Sequence, residues 1–237
     1  MKTTIVLVHG AFAESASWDG VIDALLEADL PVIAAANPLR GLAADAESVS
    51  DLVRSIDGPV LLVGHSYGCA VITNVDADAG DIVGLVYTCG FAPEAGESAF
   101  TLAGKFPGST LGEALEPVAR ADGTTDLRIV KDRFHQQFCA DVPAATAARM
   151  AATQRPVTQE ALVEPSGERP LWKELPSWFV IGEEDRNIPA ATQRYMAERA
   201  GAQRVVAVPG ASHAISVSQP RLTADVILEA ASVRVGV

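Results

Sequence analysis

Apolar residues fall along this chain in short continuous runs, separated by longer stretches in which they recur with helical spacing. The runs are Ile5 to Val8, Pro31 to Ala35, Val60 to Val63, Ile82 to Tyr87, Trp178 to Ile181 and Arg204 to Val208. Runs of this length without polar alternation predict parallel strands covered on both faces. Between them, Trp18, Val21, Ile22, Leu25 and Leu26 share one helical face, with Ser17 as the expected cap. Val49, Leu52, Val53 and Ile56 do the same within a helix expected from about Ala44 to Ile56. Further helices are expected from Ala190 to Ala200 and from Pro220 to Ala231, where Pro220 suits a first helical turn. Strands alternating with helices in this way predict an α/β fold built on a doubly wound, mostly parallel six-stranded sheet. Its reactive loops would gather at the carboxyl edge.

The pattern changes over residues 93–175, between the fourth and fifth strands. Prolines are frequent there, Val130, Phe134 and Phe138 lie at helical spacing, and an alanine-rich helix is expected over Ala144 to Thr153. No strand is expected in this stretch. It is read as a helical cap inserted into a single domain spanning 1–237, placed to roof a pocket at the strand ends.

Composition narrows the class. The chain has 237 residues, 49% of them hydrophobic and 20% charged, enough for one substantial core. A net charge of -12 without a basic run argues against nucleic acid and anionic membranes as partners and favours a neutral or cationic substrate. Only four strongly apolar residues precede His9-Gly10, too few for a signal-peptide core, so the cytoplasm is the expected location. Cys69, Cys89 and Cys139 show no paired spacing and are read as reduced, the first two as small core residues. Neither zinc-ligand spacings nor a glycine-rich phosphate loop is present, so no cofactor or metal is implied. Association with a second copy of the chain is left open.

Candidate chemistry centres on Gly64-His65-Ser66-Tyr67-Gly68, directly after the third strand and before an apolar helix start. A serine at so sharp a strand-to-helix corner is crowded by the residues two before and two after it, where glycine is favoured. The turn lifts the Ser66 hydroxyl clear of the sheet and sets it beside free N–H groups at a helix start. A serine nucleophile needs a base and a carboxylate to orient that base. Of the four histidines, His9 and His65 belong to loop motifs, His65 on the other side of the turn, and His135 lies in the cap. His213, just past the last strand in Pro209-Gly210-Ala211-Ser212-His213, is the candidate base. Asp185, in the loop after the fifth strand, is the candidate carboxylate, with Glu183, Glu184 and the more distant Glu94 as rivals. An oxyanion would be met by the N–H groups of Tyr67 and Ala11, with Gly10 allowing the backbone to come close.

With these motifs in place the chain resembles the α/β-hydrolase superfamily, and within it the small bacterial and plant esterases that include methyl esterases and hydroxynitrile lyases. The anchors are Val8-His9-Gly10-Ala11-Phe12, the Gly64 to Gly68 turn, Gly182-x-x-Asp185-x-x-Ile188-Pro189 and Gly210-x-x-His213, in the order nucleophile, acid, base. The resemblance covers nearly the whole chain and implies a fold lacking the superfamily's first two strands. It also implies a serine esterase mechanism through an acyl-enzyme on Ser66. Gly10 and Ala214 stand where the lyases carry threonine and lysine, a pattern that resembles the esterase branch. Ser66 stands where dehalogenases and epoxide hydrolases of this fold carry aspartate, and Cys69 replaces a common glycine.

For the substrate, Gly10, Phe12, Phe134 and Phe138 are the expected binding residues, with Phe100, Phe106, Met150 and Trp172 as further apolar candidates. Such a pocket favours small neutral carboxylic esters. The same three catalytic residues also serve lactone hydrolysis, carbon–carbon bond cleavage or acyl transfer, and the fold can act as a small-molecule receptor.

Overall fold

A computed structural model describes residues 1–233; of the domain expected over 1–237, residues 234–237 lie outside that description. The main sheet is built from β1 (Thr4–Val8), β2 (Val32–Ala35), β3 (Pro59–His65) and β4 (Asp81–Thr88), and after a long insertion from β8 (Ser177–Gly182) and β9 (Arg204–Val208). Its order is β2-β1-β3-β4-β8-β9, and every neighbouring pair is parallel. The six runs of the sequence are these six strands. Because β1 is flanked by β2 on one side and β3 on the other, the connections diverge there. A crevice opens at such a point beyond the carboxyl ends of the strands.

Alternation along β1 divides the core. Val6 and Val8 face one layer with Leu62, and Ile5 and Leu7 face the other with Leu61 and Val63; all seven are fully buried. Helices α1 (Asp19–Glu27) and α11 (Pro220–Ser232) cover the second face, while α2 (Leu42–Arg54) and α3 (Tyr67–Thr73) cover the first. Two details of α1 differ from expectation. A short 3-10 turn over Ser15–Trp18 precedes it, so the Ser17 hydroxyl donates to Glu14 O (2.7 Å) instead of capping the helix. Leu26, read as part of the buried face, is 57% exposed, because that turn rotates the apolar stripe towards Val21 and Leu25.

The insertion holds α4 (Ala99–Ala103), α5 (Leu111–Ala114), β5 (Leu115–Ala119), β6 (Thr125–Ile129), α6 (Lys131–Phe138), α7 (Ala144–Thr153), β7 (Val157–Thr158) and α8 (Gln159–Val163). The expectation of a purely helical insertion is corrected by an antiparallel sheet of order β5-β6-β7. Its physical origin is a hairpin: Asp122-Gly123 turns the chain with Gly123 at φ 86°, and Leu127 and the buried Ile129 alternate with polar residues. Pro117 sits on the edge strand β5, where its missing N–H costs no ladder bond. Arg40 ties this small sheet to the loop after β2, pairing with Asp126 (2.6 Å) and donating to Pro156 O (2.8 Å). After β8 come α9 (Ala190–Arg199) and, past β9, α10 (Ile215–Ser218). Among the described residues no helix is long and apolar enough to cross a membrane.

Candidate active site

The carboxyl ends of β1 and β3 meet at the divergence point, and their backbones pass so closely that glycine is obligatory. A Cβ on Gly68 would lie 2.3 Å from Val8 O, and one on Gly10 would lie 2.6 Å from Ser66 Cβ. This close packing holds Ser66 at φ 55° and ψ −122°, a region that costs a non-glycine residue about 1–3 kcal/mol. Three backbone hydrogen bonds retain it: Ser66 N donates to Thr88 O (3.2 Å), and Ser66 O accepts from Cys69 N (3.1 Å) and Phe91 N (3.3 Å). The N–H groups of Ala11 and Tyr67 flank this turn and donate to no acceptor among the described residues.

His213 lies on the loop between β9 and α10 and is 1% exposed. Its Nδ1 donates to Asp185 Oδ2 at 2.7 Å, which leaves the Nε2 lone pair of the neutral ring available, and Nε2 is buried without a hydrogen-bond partner. The carboxylate is fixed from both sides. Asp185 Oδ1 accepts from the N–H groups of Asn187 (2.8 Å) and Ile188 (2.9 Å), and Oδ2 also accepts from Gln193 Nε2 (2.9 Å). Gln193, on the first turn of α9, was not legible as a site residue, since nothing in its sequence neighbourhood marks it apart from its distance from Asp185. Of the rival carboxylates, Glu183 pairs with Arg194 and Glu94 with Lys173 (2.5 Å), while Glu184 is exposed.

The other histidines have separate duties. His9 Nδ1 donates to Gly10 O (3.0 Å) and Nε2 accepts from Asn37 N (3.2 Å), so the ring braces the loop after β1. Burial lowers its pKa to about 4. His65 packs against the His213 ring at 4.7 Å between centroids and donates from Nε2 to His213 O (2.9 Å). Burial, and then the neighbouring His213, lower its pKa to about 3. His135 donates to Val142 O (2.8 Å) within the insertion.

A cavity of about 480 Å³ opens at Ser66. Ala11, Phe12, Tyr67, Phe91, Leu111, Leu162 and Ile188 are among its walls, and among the described residues no charged side chain lines it. Phe12 and Phe100 therefore stand where a pocket residue was expected. Phe134 and Phe138 do not: both are fully buried, stacked on each other at 5.0 Å, and Phe138 meets the His213 ring edge-on at 4.9 Å. Helix α6 turns its apolar face down onto the loop that carries His213 instead of into the cavity. Phe106 packs on Tyr195, and Trp172 is buried with its Nε1 donating to Pro93 O (2.8 Å). Met150 lines a second, more polar cleft of about 370 Å³ that shares only Phe12 with the first. Among the described residues no group of three His, Cys, Asp or Glu side chains could hold a metal ion.

Comparison with known proteins agrees with this architecture. The profile of the alpha/beta hydrolase family matches residues 5–226. A pyrethroid hydrolase from Sphingobium wenxiniae is 30% identical over 96% of this chain and 87% of its own length. The alpha/beta hydrolase nvfD from Aspergillus novofumigatus is 25% identical over 98% of this chain and 97% of its own. Among solved structures, polyneuridine aldehyde esterase superimposes with a TM-score of 0.80 over 97% of this chain and 99% of its own, at 19% identity, a likeness of fold.

Proposed function

Because the chain belongs to the alpha/beta hydrolase family, we propose that it is a serine carboxylesterase acting on small neutral esters. The observation that carries this reading is a strained Ser66 at the mouth of the cavity, together with a His213 ring whose Nδ1 is spent on Asp185 and whose Nε2 has no hydrogen-bond partner among the described residues. In the proposed cycle, Ser66 Oγ attacks the ester carbonyl while His213 Nε2 takes its proton. The oxygen that gains charge accepts from the Ala11 and Tyr67 N–H groups, each such donor stabilising the transition state by about 3 kcal/mol. Collapse expels the alcohol, which takes the proton from His213. Water then attacks the acyl-enzyme with His213 again as base, releasing the acid. Asp185 orients the ring and stabilises its charged form throughout.

The uncharged lining of the cavity supports a neutral acyl group, and the hydrolase name of the Sphingobium relative supports water as acceptor over a second alcohol. Three buried free thiols support a reducing compartment, the cytoplasm. The test is hydrolysis of short p-nitrophenyl esters by the wild type and Ser66→Ala, with folding checked by circular dichroism. A loss of roughly a thousandfold or more is expected; equal rates in the two proteins would overturn the reading.

A further inference from the structure

One polar group in the cavity is held ready with nothing to bind. Asn187 is 2% exposed and lines the cavity, and the orientation of its amide follows from a chain of fixed partners. The Arg186 carbonyl can only accept, so the group donating to it at 3.0 Å must be Gln137 Nε2. Gln137 Oε1 therefore faces the Thr110 hydroxyl, which donates to it at 2.9 Å. The second proton of Gln137 Nε2 goes to the Asn187 side chain at 2.8 Å, which makes that atom Oδ1. Asn187 Nδ2, on the other side of the amide, keeps two protons and donates to no acceptor among the described residues.

We infer that Asn187 Nδ2 is a specificity-determining donor that recognises an acceptor oxygen on the substrate away from the scissile carbonyl. The inference rests on the esterase reading and deepens it: the preferred substrate is an uncharged ester carrying an ether or ketone oxygen in the part that fills the cavity. In this largely apolar cavity an all-carbon chain offers the amide protons no acceptor, whereas a suitably placed oxygen satisfies one of them. Asn187 also fixes its own loop, since its backbone N–H holds Asp185 and its carbonyl accepts from Ser109 Oγ (2.9 Å), so the side chain has little freedom to turn away.

The experiment uses p-nitrophenyl hexanoate and its ether analogues, in which one methylene at successive positions is replaced by oxygen. Each kcat/KM is divided by the rate of alkaline hydrolysis of the same ester, to remove intrinsic reactivity. The wild type is expected to prefer one oxygen position by about tenfold over hexanoate. Asn187→Leu is expected to bring that ratio to about one whatever its absolute rate, because damage to the Asp185 loop slows both esters alike. A wild type with no positional preference, or a preference that survives Asn187→Leu, overturns the inference and leaves the esterase reading intact. Should no ester be hydrolysed, that reading fails, and the corresponding non-cleavable ketones are titrated calorimetrically into both proteins. A binding preference lost in Asn187→Leu then supports the donor, and equal affinities overturn it.

Discussion

The carboxyl edge of the main sheet and the insertion between β4 and β8 both border the cavity, yet different forces hold them in place. At the edge, backbone meets backbone: Gly68 lies against Val8 O and Gly10 against Ser66, with no room for a methyl group. In the insertion, side chains reach across gaps, as Arg40 does to Asp126, Gln137 to Asn187 and Ser212 to Asp141. Gly112, on the cavity wall, has nothing within 4 Å of where a Cβ would go. The residues proposed to carry the chemistry thus sit on the part with the least room to shift. The shape of the cavity is left to the part that can be rebuilt one side chain at a time.

Substitutions can break this contrast, and the largest effect is expected at the edge. Gly68→Ala should lower unfolding stability by at least about 3 kcal/mol in urea titration, because its neighbours are backbone atoms with nowhere to go. Phe138→Ala, which empties the contact between the insertion and His213, should cost about 3 kcal/mol and lower kcat as well. If it left kcat untouched, the insertion would not brace the loop that carries His213. Gln193→Met removes one donor from Asp185 Oδ2 and should lower kcat about tenfold with KM nearly unchanged. A change confined to KM or to stability would assign Gln193 a structural role only.

Acid sharpens the contrast further, because His9 and His65, both buried, belong to the edge. His9 and His65 take up protons at about 4 and about 3 in the native state, and near 6.5 once unfolded. Between those values the unfolded chain binds more protons, so stability is highest above about pH 6.5 and declines as pH falls towards 4. Denaturant midpoints at pH 7 and pH 5 should show that decline, and a smaller one in His65→Phe. The smallest effect belongs to the insertion: Gly112→Ala, in the short helix α5, should change stability by no more than about 1 kcal/mol, in the stabilising direction.

The same contrast explains what could be read from the sequence. A parallel strand buried on both faces is a continuous apolar run, so six runs gave six strands, and Ser66, Asp185 and His213 could be placed by their offsets from strand ends. The insertion has no such constraint. Its hairpin was hidden by Pro117 and Glu116, although Asp122-Gly123 between Leu115 and Leu127 carried the signal. Phe134 and Phe138 are apolar at helical spacing whether α6 faces the cavity or the catalytic loop, and only packing decides between the two. Gln193, Gln137 and Asn187 acquire meaning from partners 8, 49 and 50 residues away, which no local pattern records.

The central claim, that Ser66 is a nucleophile activated by His213, is tested most directly by reaction with a fluorophosphonate followed by peptide mass mapping. A single adduct on Ser66 is expected, formed much more slowly in His213→Ala and absent from Ser66→Ala. Ester hydrolysis with an adduct on another residue, or labelling of Ser66 at the same rate without His213, would contradict it.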